Sequence, residues 1–345
     1  MPEASARAPE QRRAGVPAAV TSLRGPGRAA AILSVASELP TGRLTNAELA
    51  AQLDITEDWI LTRTGIRERP RAQPDERLTD YATRAGASAL AKAGIDGSKL
   101  DLVIVATMSQ DELTPNTAPL VAHALGAQSA GGVDVGAACT AFMSGLALGA
   151  AQIESGRADR VLLIGADLIT RIVDYSDKGT AALFADGAGA ILLGEAQGDY
   201  GAIGPIVMGT DGSHGTTIIA DHSDRKLRMD GREVFRHAVA RMSEVTLEAI
   251  ARCGLALDDI DLFVYHQANA RITRAIGERL ELASERVVNC IETLGNTSAA
   301  SIPLALAAAQ RDGRLQPGGR VLMSAFGAGF TWAGGVIEWG LGDDG

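Results

Sequence analysis

The sequence predicts an α/β protein, and three observations lead to this prediction. Short apolar runs rich in β-branched residues recur along the first part of the chain, at 101–108, 132–136, 160–167 and 187–194. Segments with helical periodicity alternate with these runs, at 79–93, 117–125 and 140–154. The same kind of pattern starts again after about residue 201. Strands alternating with helices of these lengths favour a mostly parallel sheet covered on both faces.

The second part of the chain repeats the plan of the first. A helical segment at 232–252 leads to the strand run "DLFVYH" at 261–266, which is followed by helical segments at 269–281 and 298–311. We therefore predict two α/β halves, at 29–200 and 201–345. Residues 1–28 are rich in Ala, Arg, Pro and Gly and lack the apolar block of a secretory signal, so we expect a disordered tail there.

Composition excludes several classes of protein. The 345 residues are 46% apolar, which suffices for a large core, and no apolar run reaches the roughly 18 residues of a membrane helix. The net charge of −10 argues against nucleic-acid binding. Cys139, Cys253 and Cys290 match no zinc spacing, and an odd number of unpaired cysteines is typical of a reducing cytoplasm. We expect no metal, nucleic-acid or membrane partner.

One cysteine lies where a strand gives way to a helix. Cys139 follows the run 132–136 and precedes the helical segment 140–154, so it lies at a helix N-terminus. The free N–H groups and the positive end of the helix dipole there favour a thiolate, with a pKa of about 3.5–7.5. The small residues Gly136, Ala137 and Ala138 allow a substrate to approach the sulfur. A buried, inert cysteine fits this segment equally well.

Two polar residues at comparable positions strengthen the catalytic interpretation. His266 follows the apolar strand run 261–265, where active-site residues of parallel α/β folds lie. Asn296 lies in a Gly-Asn-Thr turn just before a helical segment. Either residue alone is more typical of a structural role. Together with Cys139, they predict a nucleophile with two polar partners.

Six motifs, taken in order, resemble β-ketoacyl-acyl-carrier-protein synthase III, a family of thiolase-fold condensing enzymes. They are "WILTRTGIRER", the segment around Cys139, "DKGTAALFADGAGA", "HQANARI", "GNTSAASIPLAL" and "AFGAGFTWAG", and the similarity runs from about Ala30 to Trp339. The resemblance implies a thiolase-like fold in which two similar α/β halves form a five-layered αβαβα core. It also implies a homodimer with the strand "DVGAA" near the interface.

The resemblance also implies roles for the three residues. Cys139 would accept an acyl group as a thioester, and His266 and Asn296 would bind the thioester carbonyl of a malonyl unit. Loss of CO2 from malonyl leaves an enolate whose oxygen needs hydrogen-bond donors already aimed at it. The oxyanion on the acyl group would be bound by the backbone N–H groups of Cys139 and Ala328.

Further residues match positions that surround the family's tunnel. Those implied at the coenzyme A and pantetheine entrance are Trp59, Arg63, Lys178, Gly179, Gly231, Ala268 and Asn269. Those implied at the acyl pocket and active-site wall are Ala141, Phe142, Leu183, Phe184, Phe235 and Phe326. Those implied to dock an acidic carrier protein are Arg232, Arg236, Arg271 and Arg274, whose spacing alone favours an ordinary solvated surface.

The chain departs from the family pattern at four places, one of which is Ala328, where the family often has glycine. Ala141 replaces a glycine two residues after the nucleophile, which adds a methyl group near the sulfur. Lys178 replaces an arginine that stacks on the coenzyme A adenine opposite Trp59, and lysine lacks a planar face, so we expect a weaker clamp. The segment at 219–231 looks shorter than in typical members, which predicts a different outer lid to the pocket.

The resulting hypothesis is a decarboxylative Claisen condensation. An acyl thioester of coenzyme A or a carrier protein would react with malonyl-carrier protein through acyl-Cys139 and give a 3-ketoacyl thioester, with no cofactor. The alternative is an acyltransferase of the same fold that acts on a hydroxyl, amine or carrier thiol without forming a carbon–carbon bond. Asn296 favours condensation, because simple acyl transfer produces no enolate. Fatty-acid initiation and a specialised polyketide or antibiotic pathway both remain open.

Overall fold

The computed structural model describes residues 27–197 and 201–341. The tail predicted over 1–28 therefore lies outside the described residues except for its last two positions. The predicted boundary between the halves falls beside residues 198–200, which are also not described, so the division into 29–200 and 201–345 stays a prediction.

The described part of the chain forms a mixed α/β structure. Its strands are β1 Ala30–Glu38, β2 Arg43–Thr45, β3 Glu68–Pro70, β4 Leu102–Ala106, β5 Gly131–Val135, β6 Val161–Leu168, β7 Asp186–Glu195, β8 Val207–Thr210, β9 Ile218–Ala220, β10 Leu227–Met229, β11 Leu262–Tyr265, β12 Arg320–Gly327 and β13 Thr331–Glu338. Its α-helices are α1 Asn46–Leu53, α2 Glu57–Thr64, α3 Leu78–Ala93, α4 Thr117–Ala124, α5 Ala141–Glu154, α6 Lys178–Ala181, α7 Gly231–Arg252, α8 Ala270–Arg279, α9 Ile291–Leu294 and α10 Ser301–Arg311. The predicted α/β class is confirmed.

Two sheets lie at the centre of the molecule, one in each half of the chain. The first has the strand order β1-β7-β6-β4-β5 and the second has the order β11-β12-β13-β8. Strand β4 pairs in parallel with β5 and β6, but β6 with β7 and β7 with β1 pair antiparallel. In the second sheet, only β11 and β12 are parallel. The prediction of mostly parallel sheets is therefore wrong: strands such as β12 and β13 are joined by a short turn, which permits only antiparallel pairing.

The helices and sheets form the five predicted layers. Helices α3 and α4 cover one face of the first sheet, while α5 and α10 pack on its other face. Helix α5 also contacts β13 and α10 contacts β11, so these two helices lie between the sheets. Helix α7 packs on the second sheet, against β12 and β13, and α8 packs against α7. The central layer is a continuous apolar core built from both sheets and both central helices.

Apolar strands and small residues allow the sheets and the central layer to pack closely. Strands β6 and β7 are buried along almost their whole length, in agreement with their continuous apolar runs. Where the 3-10 turn Ser298–Ala300 before α10 crosses β6, a glycine allows close approach: a Cβ on Gly165 would lie 2.3 Å from the carbonyl oxygen of Ala299. None of the helices within 27–197 and 201–341 combines the length and apolarity that a bilayer crossing requires.

The crossing at Gly165 yields a stability prediction. In the Gly165→Ala variant, the new methyl group would overlap the Ala299 carbonyl and press on the Phe142 ring, which lies 3.1 Å from the Cβ position. Overpacking of this kind costs about 1–3 kcal/mol, so the free energy of unfolding measured in urea should fall by that amount. Gly277→Ala is the matched control, because its Cβ in helix α8 would meet nothing within 4 Å and should add roughly 0.5–1 kcal/mol. A Gly165→Ala variant as stable as the parent would contradict the crossing.

Candidate active site

A cavity of about 560 Å3 brings the three predicted residues together. Cys139, His266 and Asn296 all line it. They reach it from three places: the turn before α5, the end of β11 and the turn after α9. The lining is mainly apolar, as is typical of small-molecule sites.

Cys139 lies in a tight turn between β5 and α5, as the sequence predicts. A short 3-10 turn, Ala138–Thr140, leads directly into the helix. Ala138 has φ 47°, a left-handed conformation that is strained for a residue with a Cβ atom. Gly327 packs against this turn so closely that a Cβ there would lie 2.9 Å from the Cys139 nitrogen. The turn is therefore positioned by this backbone contact and by the Thr140 hydroxyl, which donates to the Ala137 carbonyl at 2.7 Å and lies 2.8 Å from the Thr331 hydroxyl.

The ionisation predicted for Cys139 is wrong for the protein alone. Burial raises the pKa of the Cys139 thiol to about 12, although a hydrogen bond from the Ser298 side chain lowers it and the charge of Asp167 raises it. Burial also lowers the pKa of His266 to about 4. At neutral pH the cavity therefore holds a neutral thiol and a neutral imidazole. For both groups, the desolvation that accompanies burial is the largest cause of the pKa shift.

Backbone hydrogen bonds hold the two polar partners. The His266 N–H donates to the carbonyl of Ser324 at 2.8 Å, which continues the pairing of β11 with β12. Asn296 is held on both sides, since its N–H donates to the Leu183 carbonyl and its carbonyl accepts from the Ala185 N–H, each at 2.9 Å.

The side chains of these two residues present donors to the cavity. The Oδ1 atom of Asn296 accepts the Ser298 N–H at 2.9 Å, so the NH2 group is the part of the amide left to face the cavity. The Nδ1 atom of His266 is buried and has no hydrogen-bond partner among the residues that the structure describes. A neutral imidazole can donate one N–H and accept at the other nitrogen.

A buried carboxylate beneath the cavity was not predicted. Asp167, at the end of β6, accepts hydrogen bonds from the Thr107 hydroxyl at 3.0 Å, the Met108 N–H at 2.9 Å, the Ser109 hydroxyl at 2.7 Å and the Ala299 N–H at 3.1 Å. Burial raises its pKa despite these bonds. It joins the end of β4 to the segment that follows Asn296. A lone aspartate in the apolar run of β6 was the available signal for it.

The predicted entrance residues lie together at the cavity mouth. The Nζ atom of Lys178 is 5.7 Å from the ring centroid of Trp59, and the guanidinium carbon of Arg63 is 5.0 Å from it. The Asn269 side chain donates to the Arg63 carbonyl at 3.1 Å. The other predicted entrance residues that line the cavity are Gly179, Gly231 and Ala268. Trp59 therefore has two cations near its ring.

The predicted acyl pocket needs one correction. Leu183, Phe184, Phe235 and Phe326 line the cavity, as expected. Ala141 and Phe142 do not: both are fully buried in the core between the sheets, because the first turn of α5 directs them into the central layer. The methyl group of Ala141 therefore does not narrow the pocket. The hairpin of β9 and β10, in the segment predicted to alter the lid, adds the apolar wall residues Ile218, Leu227 and Met229.

The structure separates the four predicted docking arginines into two groups. Arg232 and Arg271 line the cavity, and Arg271 lies over the ring of Phe235 at 5.6 Å. Arg236 and Arg274 do not line it. Arg236 forms an exposed ion pair with Glu233 at 2.7 Å, and Arg274 forms a longer one, at 3.9 Å, with Glu278. Each predicted pair therefore contributes one arginine to the mouth and one to the surrounding surface.

Comparison with known proteins identifies the family. Two family models match: 3-oxoacyl-[acyl-carrier-protein] synthase III at residues 133–212 and its C-terminal counterpart at 250–339. The β-ketoacyl-[acyl-carrier-protein] synthase III of Bradyrhizobium diazoefficiens is 42% identical over 320 residues, which cover 89% of this chain and 98% of that protein.

Solved structures show the same similarity. The 3-oxoacyl-(acyl carrier protein) synthase III of Pseudomonas aeruginosa superposes with a TM-score of 0.87 at 41% identity and covers 91% of this chain and 99% of its own. The priming β-ketosynthase from the R1128 polyketide biosynthetic pathway also has a TM-score of 0.87, at 38% identity, and covers 92% of this chain and 98% of its own.

The neutral state of Cys139 predicts how its alkylation depends on pH. Because burial raises the thiol pKa to about 12, the thiolate fraction, and with it the iodoacetamide rate at Cys139, should rise about tenfold per unit between about pH 6 and 9. Mass spectrometry of the peptide that contains Cys139 measures this rate. Ser298→Ala, which removes the hydrogen bond that lowers the pKa, should react more slowly with the same slope. A plateau near neutral pH would show a preformed thiolate and contradict the assignment.

Proposed function

The chain belongs to the 3-oxoacyl-(acyl-carrier-protein) synthase III family, and from that premise we propose that it condenses an acyl thioester with malonyl-carrier protein. The products are a 3-ketoacyl thioester, CO2 and the free thiol of the acyl donor. The observation that carries the proposal is the convergence of Cys139, His266 and the free NH2 group of Asn296 on one enclosed cavity.

The first half-reaction transfers the acyl group to Cys139. The sulfur attacks the thioester carbonyl, its proton passes to the neutral imidazole of His266, and the donor thiolate leaves and takes up that proton, so His266 is neutral again. The backbone N–H groups of Cys139 and Ala328 would bind the oxyanion of the tetrahedral intermediate. Ala328 lines the cavity and is not among the non-glycine residues with positive φ, so alanine is tolerated where the family often has glycine.

The second half-reaction needs two donors for an enolate. Malonyl loses CO2, and the electron pair of the broken bond moves onto the thioester carbonyl. The α-carbon of this enolate attacks acyl-Cys139, whose sulfur leaves as a thiolate and takes up a proton from solvent. His266 is neutral because burial lowers its pKa to about 4, so its imidazole and the Asn296 amide can each donate one hydrogen bond to the enolate oxygen. Such bonds are strong in an apolar cavity from which water is displaced.

The free donor on Asn296 favours condensation over simple acyl transfer. A transferase that passes the acyl group to a hydroxyl, amine or carrier thiol would use the first half-reaction only, and the amide would then have no enolate to stabilise. The resemblance to a priming β-ketosynthase supports a place at the start of chain synthesis.

The surface supports partners of two kinds. Arg232 and Arg271 at the mouth, on a chain of net charge −10, would attract an acidic carrier protein locally. Among the described strands, β5 pairs with β4 alone, and it exposes Val133, so we propose that it pairs with a second copy to form a homodimer. The substrates are coenzyme A and phosphopantetheine thioesters, with no metal or cofactor in the reaction. The three free cysteines support a cytoplasmic location.

Intact-mass analysis tests the two half-reactions separately. The chain is incubated with a panel of acyl-CoAs and acyl-carrier proteins, and malonyl-carrier protein is then added while CO2 is measured. The parent should gain one acyl mass and then release CO2 with loss of that mass. Cys139→Ala should gain none. Asn296→Ala should still acylate, but its CO2 release should fall about 100-fold, the usual effect of losing one such donor. Acylation of the parent without CO2 release would favour the acyltransferase alternative.

The Trp59–Lys178 pair predicts a change in coenzyme A affinity. Lys178→Arg would place a planar guanidinium opposite the indole, so the adenine of coenzyme A could stack between two flat faces. The KM for acetyl-CoA should fall by about threefold or more, since a cation–π contact contributes about 0.5–1 kcal/mol at exposed sites. Lys99→Arg, at an exposed site on another surface, is the control. Equal KM values in the parent and Lys178→Arg would contradict the prediction.

A further inference from the structure

One charged side chain that does not line the cavity is fully buried in the protein. Arg69, on β3, has no exposed surface. Its Nε and Nη2 atoms donate to the Ala182 carbonyl at 3.0 and 2.5 Å, and its Nη1 atom donates to Oδ1 of Asn46 at 2.8 Å. Within the described residues, no carboxylate forms an ion pair with it. Burial lowers its pKa to about 10, so the guanidinium is still charged at neutral pH.

Burying a charge of this kind raises the free energy of the folded protein, so we expect the charge to have a role that compensates for it. Removing a charged group from water is unfavourable even when neutral acceptors surround it. An apolar side chain of similar length would fill the same space at lower cost. The acceptors of Arg69 therefore indicate what the charge provides, and the main acceptor is the backbone at the end of α6.

That backbone leads directly into the segment that holds Asn296. Ala182 is followed by Leu183, whose carbonyl accepts the Asn296 N–H, and then by Phe184 and Ala185, whose N–H donates to the Asn296 carbonyl. The two bonds make a short parallel bridge that fixes the backbone of Asn296 on both sides.

Arg69 also touches the other side of this bridge. Gly295 has φ 61°, and a Cβ there would lie 3.2 Å from Cγ of Arg69 and 2.9 Å from Cβ of Ala185. The arginine stem thus lies against the residue before Asn296 while its guanidinium binds the residue before Leu183. Both backbone segments of the bridge are therefore supported by the side chain of Arg69.

We propose that Arg69 is a positioning residue that holds the Asn296 amide in place for the second half-reaction. This inference rests on the proposed function. The start of α6 is fixed independently, because the Asp177 carboxylate accepts the Gly179 N–H and the Thr180 hydroxyl. The turn of Cys139 is also held elsewhere, by Gly327 and by the contact of Thr140 with Thr331 at 2.8 Å. Loss of Arg69 should therefore disturb enolate formation more than acylation of Cys139.

The test compares the two half-reactions in the full-length protein. In Arg69→Met, CO2 release from malonyl-carrier protein by the acylated enzyme should fall about 10- to 100-fold, the effect of a small displacement of a catalytic group. The rate of Cys139 acylation by acetyl-CoA, measured by intact-mass analysis, should change by less than about threefold. Arg69→Lys keeps a cationic donor for the Ala182 carbonyl and should recover part of the CO2 release. Arg67→Met is the matched control, because Arg67 is exposed and pairs with Glu292 at the surface.

A milder variant serves if Arg69→Met does not fold. Asn46→Ala removes one acceptor of the guanidinium and should lower CO2 release by a smaller factor, again with acylation nearly unchanged. Equal losses in both half-reactions, unaltered CO2 release, or no recovery in Arg69→Lys would overturn the positioning role. Absence of CO2 release from the parent would overturn the proposed function itself, and with it this inference.

Discussion

The buried carboxylate of Asp167 is the constraint on which the site depends. A charge with no access to water must be surrounded by donors, and it takes them from the end of β4 and from the segment after Asn296. Those segments belong to different halves of the chain, so satisfying one carboxylate fixes the halves relative to each other at the floor of the cavity. Partly satisfied buried networks are costly, which favours a single arrangement of these loops.

Burial also determines the protonation states of Cys139 and His266, and with them the chemistry that these two groups can perform. The same apolar enclosure raises the pKa of Cys139 to about 12 and lowers that of His266 to about 4, so no ion pair forms in advance. A neutral imidazole and a neutral thiol in one cavity suit the proposed chemistry, in which His266 accepts a proton in the first half-reaction and donates a hydrogen bond in the second. An imidazolium could do only the latter.

The sequence predicted those parts of the site whose structure is determined by residues close together in the chain. The spacing of apolar residues and the placement of small ones predict the strand before Cys139, the helix after it and the turn at Asn296. Strand direction did not follow, because pairing depends on connections between distant segments. The Cys139 pKa was predicted wrongly because helix position is local, whereas desolvation depends on the whole fold. Arg69 and Asp167 were missed because their partners lie far away in the chain.

The separation of anchors explains how such a site can vary in substrate without losing its chemistry. Cys139 is held through Gly327, His266 through β12, and Asn296 through the bridge at Leu183 and Ala185. These are mainly contacts between backbones, which require small residues rather than particular side chains. The cavity mouth is built from long side chains on α2, α6, α7 and α8, and none of them takes part in these anchors. Under the proposed function, substitution at the mouth can therefore change which thioester enters while Cys139, His266 and Asn296 keep their places.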